Sequence, residues 1–141
     1  RTAGDYDKVI YDLGKKQIGL TNEIAAMKQK RTAYAAAAKH LQICRTYKSV
    51  WMEYVAKPLN QKTEYFNQHS MELQAYRTAA AKLEKEGIDQ SVEIDKVNNL
   101  AQSLERKIND LDKQLRESNL QEQDYRQERK TLMTIQADLF E

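Results

Sequence analysis

The sequence predicts an all-α protein, an elongated antiparallel three-helix bundle with coiled-coil character whose first and third helices are long. The 141 residues include only four Gly and one Pro, so few positions interrupt a helix. Hydrophobic residues make up 40% of the chain and charged residues 31%, a composition typical of long helices with one apolar face. Apolar residues recur every seven positions in three segments, as they do in coiled coils.

The first helix is predicted over about residues 5–56. Its seven-residue repeat consists of Tyr6, Leu13, Leu20, Met27, Tyr34 and Leu41, with a companion row of Ile10, Gln17, Ile24, Arg31 and Ala38. The polar residues Gln17 and Arg31 weaken this row but fix its register. Further along, the companion row shifts to Ala37, Cys44 and Trp51. The shift widens the apolar stripe and indicates a thicker bundle there.

Pro58 separates the first helix from the second, which is predicted over about residues 58–86. Proline lacks a backbone N–H and pushes the preceding Lys57 out of the helical region, so the first helix should end near Ala56. Pro58 itself suits the first turn of the second helix. Gly87 suits the position after a helix C-terminus, where the backbone adopts a left-handed conformation.

The third helix is predicted over about residues 90–140, after an N-cap at Asp89 or Ser91. Its apolar seam is strong up to Leu115 and then becomes polar at Glu122, Arg129 and Gln136. The segment 116–119 is the expected place for a bend. The whole chain is interpreted as a single helical domain.

Helix lengths predict that both ends of the chain project from the bundle. At 1.5 Å per residue the first and third helices are each about 75 Å long and the second about 40 Å. An up–down–up order then overlaps only residues 30–56, 59–86 and 90–116. The uncovered arms present an interaction seam of Tyr6, Ile10, Leu13, Leu20, Ile24, Tyr125, Leu132 and Leu139. We expect a homodimer through these arms; the competing arrangement is a bend that covers the first arm within one chain.

Charge is uneven along the chain. Residues 1–62 contain 12 Lys/Arg and 5 Asp/Glu, whereas residues 63–141 contain 11 and 16. The excess of positive charge in the first part favours contact with phosphate groups, so weak, sequence-independent DNA binding is expected there. The candidate DNA-binding residues are Lys28, Lys30, Arg31, Lys39, Arg45, Lys48, Lys57 and Lys62. They are spread over several helix faces, so they do not define a single track.

Aromatic residues are dense on both sides of Pro58. They are Tyr47, Trp51, Tyr54, Tyr65 and Phe66. Two interpretations remain open: an aromatic and basic nucleic-acid surface, or rings that close the end of the bundle while lysines solvate its outside.

No catalytic motif is present, because the chain has no phosphate loop, no serine elbow and no paired-carboxylate motif. His69 and Glu72 share a helical face, and His40 lies on another helix, but no cluster of ligands supports a metal. We therefore expect no enzyme activity, metal or cofactor in this chain. A metal-dependent activity of His69, Glu72 and His40 is the weakest alternative.

The single cysteine, Cys44, excludes an internal disulfide and fits a reducing, cytoplasmic location. It lies on the apolar stripe, so core packing is favoured over reactivity. Neither a membrane span nor a secretory signal is present, and we expect no membrane contact. Because the chain starts at Arg1, we expect a fragment of a longer protein.

Several short features resemble one known family. They are the opening Asp5-Tyr6, the pair Trp51-x-x-Tyr54, His69 with an acid three residues later, the small-residue run before Gly87, and Tyr125-Arg126. Over nearly its whole length the chain resembles the helical region behind the catalytic domain of MobA/VirD2-type relaxases. These are nicking enzymes of conjugative and mobilisable elements in Firmicutes. The chain departs from their Lys-Thr-Arg run before Trp51, where Cys44, Thr46, Tyr47 and Lys48 stand instead.

The resemblance implies a non-catalytic C-terminal part of a conjugative relaxase. Such a part would act in dimerisation, in contact with transfer-machinery proteins, or in accessory DNA binding during mobilisation. The family's catalytic Tyr and metal-binding histidines belong to an upstream domain and have no counterpart here. The alternative is a structural coiled-coil scaffold or spacer unrelated to DNA transfer.

Overall fold

The computed structural model describes residues 1–140, and the regular secondary structure in this part of the chain is α-helix. Its four helices are α1 (Ala3–Ala56), α2 (Leu59–Gln68), α3 (Ser70–Lys85) and α4 (Ile94–Phe140). None of these helices has the length and apolarity that crossing a membrane requires. The all-α prediction is confirmed.

The chain divides into two compact units. Unit 1 consists of residues 1–29 and the residues from Leu104 onwards, and unit 2 is Lys30–Ser103. The two long helices, α1 and α4, each contribute one segment to each unit. Each unit is described by itself below.

Unit 1 is an antiparallel pair of helices. The rings of Tyr6 and Tyr125 lie 6.4 Å apart, and the Gln17 side-chain amide donates to the Ser118 carbonyl at 3.5 Å. Residue numbers thus rise along α1 as they fall along α4. The expectation of an up–down–up order with two uncovered arms was wrong for these segments, because the start of α1 and the end of α4 cover each other within one chain.

Unit 2 has a closed apolar core. Its buried residues are Ala37, Leu41, Cys44, Tyr76, Ala79, Leu83 and Val97. Helix α3 runs antiparallel to α1, because Trp51 stacks on Tyr76 with ring centroids 5.0 Å apart, whereas His40 lines a depression together with Lys82. The predicted shift of the apolar row at Ala37 is confirmed.

The chain between Pro58 and Glu86 forms two helices instead of the one predicted. Helix α1 ends at Ala56 as predicted, and Pro58 is the N-cap of α2, with φ −60°. His69 interrupts the expected helix with φ −123° and ψ 30°. Its ring lies 4.4 Å from the ring of Tyr65. The interruption involves neither Gly nor Pro, the residues that usually break helices, so the sequence did not predict it.

Gly87 adopts the left-handed conformation predicted for it, with φ 69°. The Ile88 amide donates to the Leu83 carbonyl at 2.9 Å and the Gly87 amide to the Glu84 carbonyl at 3.0 Å. These two hydrogen bonds form a Schellman motif, which satisfies carbonyl groups left free at the end of α3.

Helix α4 begins at Ile94, four residues later than predicted. The Asp89 side chain accepts a hydrogen bond from the Ser91 amide at 2.8 Å, a local turn that competes with helix formation. The following Val92 packs against the core, and its carbonyl accepts a hydrogen bond from Arg45 Nη2 at 2.8 Å. Tertiary contacts therefore hold the connection outside the helix.

At 116–119, where a bend was expected, α4 is not interrupted and the residues remain helical. Ser118 is only 2% exposed because its small side chain faces the helix pair. A polar residue in the seam changes the packing here without interrupting the helix.

Candidate interaction surfaces

The aromatic residues around the α1–α2 turn contact one another in a continuous cluster. Tyr54 is central, with ring centroids 5.7 Å from Trp51, 6.4 Å from Tyr65 and 6.0 Å from Phe66. All four residues are partly buried. Their mutual packing favours the interpretation that they close this end of unit 2.

Three cations lie on this aromatic cluster. Lys62 Nζ donates to the carbonyls of Tyr54 and Val55, both at 2.8 Å, and lies 5.0 Å from the Tyr54 ring centroid. Arg77 lies 5.7 Å from the Trp51 ring, and Lys57 lies 5.2 Å from the Tyr65 ring. Lys62 thus caps the C-terminus of α1, where the Tyr54 carbonyl otherwise accepts only the Lys57 amide at 3.2 Å, because Pro58 has no N–H.

A groove opens between α1, α2 and α3 beside this cluster. Its volume is about 400 Å³, and it is lined by Tyr54, Leu59, Lys62, Thr63, Phe66 and Arg77. Leu59 is 85% exposed, although the heptad pattern of the second helix placed it on the same apolar row as the buried Leu73. We call this feature the α1–α2 groove. The sequence did not reveal it, because its lining residues come from three different helices.

The eight candidate DNA-binding residues have different surroundings. Arg45, Lys57 and Lys62 make the intramolecular contacts given above, and Arg31 is partly buried. Lys28 belongs to unit 1, whereas the other seven belong to unit 2. The remaining exposed members are Lys30, Lys39 and Lys48. Whether any of them binds DNA stays a prediction.

The predicted interaction seam lies mostly inside unit 1. Leu20 and Ile24 are buried, and five others are partly buried: Tyr6, Ile10, Leu13, Tyr125 and Leu132. Leu139 is exposed. Beside the seam, the Arg129 guanidinium pairs with Asp7 at 2.7 Å. Two polar residues of the predicted rows, Gln17 and Arg129, contact the opposite helix within one chain.

A second apolar row on α1 lies outside the seam and is exposed. Tyr11 and Ile18 are 64% and 65% exposed, and they lie seven residues apart, with Ala25 seven residues further on. The Lys15 ammonium lies 4.6 Å from the Tyr11 ring. We call Tyr11, Ile18 and Ala25 the outer stripe. Its seven-residue spacing was visible in the sequence, but the longer seam row concealed it.

The two histidines have separate environments. His69 Nδ1 lies 3.4 Å from a Glu72 oxygen, and neighbouring Tyr65 donates a hydrogen bond to Glu53 at 2.8 Å. Burial and the positive charges of Lys82 and Lys39 lower the pKa of His40 below its usual value. Among the described residues, no three His, Cys, Asp or Glu side chains are grouped as a metal site requires.

Cys44 is buried in the core of unit 2. Burial raises the pKa of its thiol, and the nearby Lys48 only partly opposes this. A thiol reacts as its thiolate, so the surroundings of Cys44 favour packing over chemistry, as predicted.

Comparisons with family models, with curated proteins and with solved structures found no match to this chain. The function is therefore inferred from two surfaces that the helices leave open, the α1–α2 groove of unit 2 and the outer stripe of unit 1.

Proposed function

We propose that this chain is a non-catalytic helical interaction module that associates with a second copy of itself through the outer stripe. The supporting observation is the exposure of Tyr11 and Ile18, which lie on α1 beside the rows that pack on α4. Isolated exposed apolar residues are normal on protein surfaces, but residues aligned every seven positions form a stripe that a partner helix can cover.

The outer stripe is complementary to itself in size. When two copies of α1 pair antiparallel about Ile18, Tyr11 of one copy lies opposite Ala25 of the other, because both are seven residues from the centre. A large residue then packs against a small one, and two-fold symmetry repeats this contact at both ends of the interface. Gly14 flanks the stripe, and a Cβ added there meets no atom within 4 Å. The surface beside Tyr11 is therefore open to a close helix approach.

Sedimentation equilibrium over a concentration series tests this association. We expect a monomer–dimer equilibrium in which Ile18→Glu or Tyr11→Glu raises the dissociation constant about tenfold or more, since each places a charge in the contact. Ile135→Glu, at an exposed position on α4, is the matched control and should leave the equilibrium unchanged. A monomer at every concentration would contradict the proposal.

We also propose that the module belongs to a conjugative relaxase, where it would contact transfer-machinery proteins. The support is the resemblance described above. An upstream coding region with a three-histidine metal motif and an N-terminal catalytic Tyr is the expected finding. A different upstream sequence would favour the structural scaffold or spacer instead.

Weak, sequence-independent DNA binding is the second candidate function. Lys30, Lys39 and Lys48 are exposed, and unit 2 contains eleven Lys/Arg against eight Asp/Glu. Phosphate contacts release counterions, so affinity should fall steeply with salt. Lys39→Glu with Lys48→Glu should weaken binding equally for all DNA sequences. Binding that resists both salt and these substitutions would contradict this function.

A further inference from the structure

We propose that the α1–α2 groove binds a short acidic segment of another protein that carries a large apolar side chain. This inference is independent of self-association, because the groove lies in unit 2 and the outer stripe in unit 1. Three features of the groove support the proposal: its exposed apolar lining, the positive charges at its rim, and aromatic rings that already contact one another.

The lining of the groove offers apolar surface that the chain itself leaves uncovered. Leu59 is 85% exposed, and Thr63 and Phe66, four and seven residues later in α2, line the same groove. This spacing places the three side chains on one helical face. An apolar side chain of a partner that enters the groove removes Leu59 from water, which favours binding.

The rim of the groove is positively charged. Lys62 and Arg77 are its charged lining residues, and no carboxylate lines it. Within residues 1–140, neither cation takes part in a salt bridge. The Lys62 ammonium is already fixed by the two carbonyls at the end of α1, so little side-chain freedom is lost when it meets a carboxylate. Acidic residues beside an apolar anchor therefore complement the groove.

Single-stranded nucleic acid fits the groove less well than a protein segment. Bases bind such surfaces by stacking on free aromatic faces. The Tyr54 ring already contacts three other rings and carries the Lys62 ammonium. The most exposed apolar side chain of the groove is Leu59, which offers no ring.

Trp51 provides a test, because it is the only tryptophan of the chain and its ring lies 5.7 Å from Arg77. The probe is a synthetic peptide of about a dozen residues in which Asp and Glu alternate with Phe and Leu. We expect a saturable change in Trp51 emission with Kd on the order of 10–100 µM, and weaker binding at high salt. The same peptide with Asn and Gln in place of the acids should bind about tenfold more weakly or worse.

Substitutions in the groove identify the site. Leu59→Gln and Arg77→Gln should each weaken binding about fivefold or more, measured by anisotropy of a labelled peptide so that the readout does not depend on Trp51. Met71→Gln is the matched control, because Met71 is 86% exposed and lies outside the lining. Circular dichroism verifies that each variant is folded.

Three results would overturn the proposal. They are the absence of saturable binding up to about 1 mM peptide, equal affinity for the amide peptide, and wild-type affinity in both groove variants. A thymidine oligonucleotide that binds more tightly than the acidic peptide, and is weakened by the same two substitutions, would assign the groove to single-stranded nucleic acid instead.

Discussion

His40 is held in a setting that disfavours its charged form. Burial is the main cause of its lowered pKa, and the charges of Lys82 and Lys39 add to it. Because the folded-state pKa lies below the unfolded value, the unfolded chain binds more protons as the pH falls through that window. The stability that neutral His40 provides is thus complete above the unfolded pKa of about 6.5 and is lost below it.

His40→Gln should therefore reduce the loss of stability between about pH 7.5 and pH 5 in urea unfolding. In NMR titrations, Lys82→Gln should move the pKa of His40 toward its usual value, because one of the opposing charges is removed. A wild-type pKa for His40 at or above the usual value would contradict this account.

Ser118 carries a buried hydroxyl without a hydrogen-bond partner. Such a group loses its bonds to water on folding and gains none in return, a cost of about 1–3 kcal/mol. We expect Ser118→Ala to raise the free energy of unfolding by about 1 kcal/mol. Ser49→Ala, at an exposed position in α1, measures the difference in helix propensity alone. An equal effect at both positions would show that the hydroxyl carries no burial cost.

At the scale of elements, two glycines with equally open surroundings should respond in opposite directions to alanine. A Cβ added at Gly87 or at Gly19 meets no atom within 4 Å, but only Gly87 has a positive φ. Gly87→Ala should lower the free energy of unfolding by about 1 kcal/mol, because a left-handed conformation strains an L-residue. Gly19→Ala, inside α1, should raise it by about 0.5–1 kcal/mol. Chemical denaturation measures both; a stabilising Gly87→Ala would contradict the role of the Schellman turn.

At the scale of the whole molecule, the two units differ in how many residues they bury. Unit 2 encloses seven buried residues in one cluster, whereas the buried residues of unit 1 are Leu20, Ile24, Ile108 and Ser118 within the described range. Local opening requires less free energy where fewer apolar side chains are buried. We expect backbone amides of residues 37–44 and 73–83 to exchange with solvent more slowly than those of 10–24 and 111–125. Uniform protection in hydrogen exchange would contradict this.

The outer stripe and the α1–α2 groove differ in how well the sequence predicts them. The outer stripe repeats every seven residues along one helix, so its members could be found by spacing alone. Identifying Tyr11 and Ile18 as exposed required knowing which row pairs with α4. The α1–α2 groove joins residues from three helices, and its exposed Leu59 is the first residue of α2. Only the three-dimensional arrangement brings Leu59 and Arg77 to the same groove.

The sequence by itself determined the features that depend on local backbone chemistry. Proline restricts its own φ and the residue before it, so the end of α1 at Ala56 follows from Pro58. Glycine alone adopts a left-handed φ without strain, so the end of α3 follows from Gly87. Periodic apolar residues likewise specified helices and placed Leu41 and Cys44 in a core.

Only the tertiary structure decided which apolar faces meet. Several apolar stripes run along this chain. The hydrophobic effect has no direction, so any pairing of stripes that removes apolar surface from water is favourable. In unit 2, Val92 of the connection between α3 and α4 packs on the core, and its carbonyl accepts a hydrogen bond from Arg45. In unit 1, Gln17 contacts Ser118 and Asp7 pairs with Arg129, so α4 covers the start of α1, which the expected up–down–up order had left open for a partner.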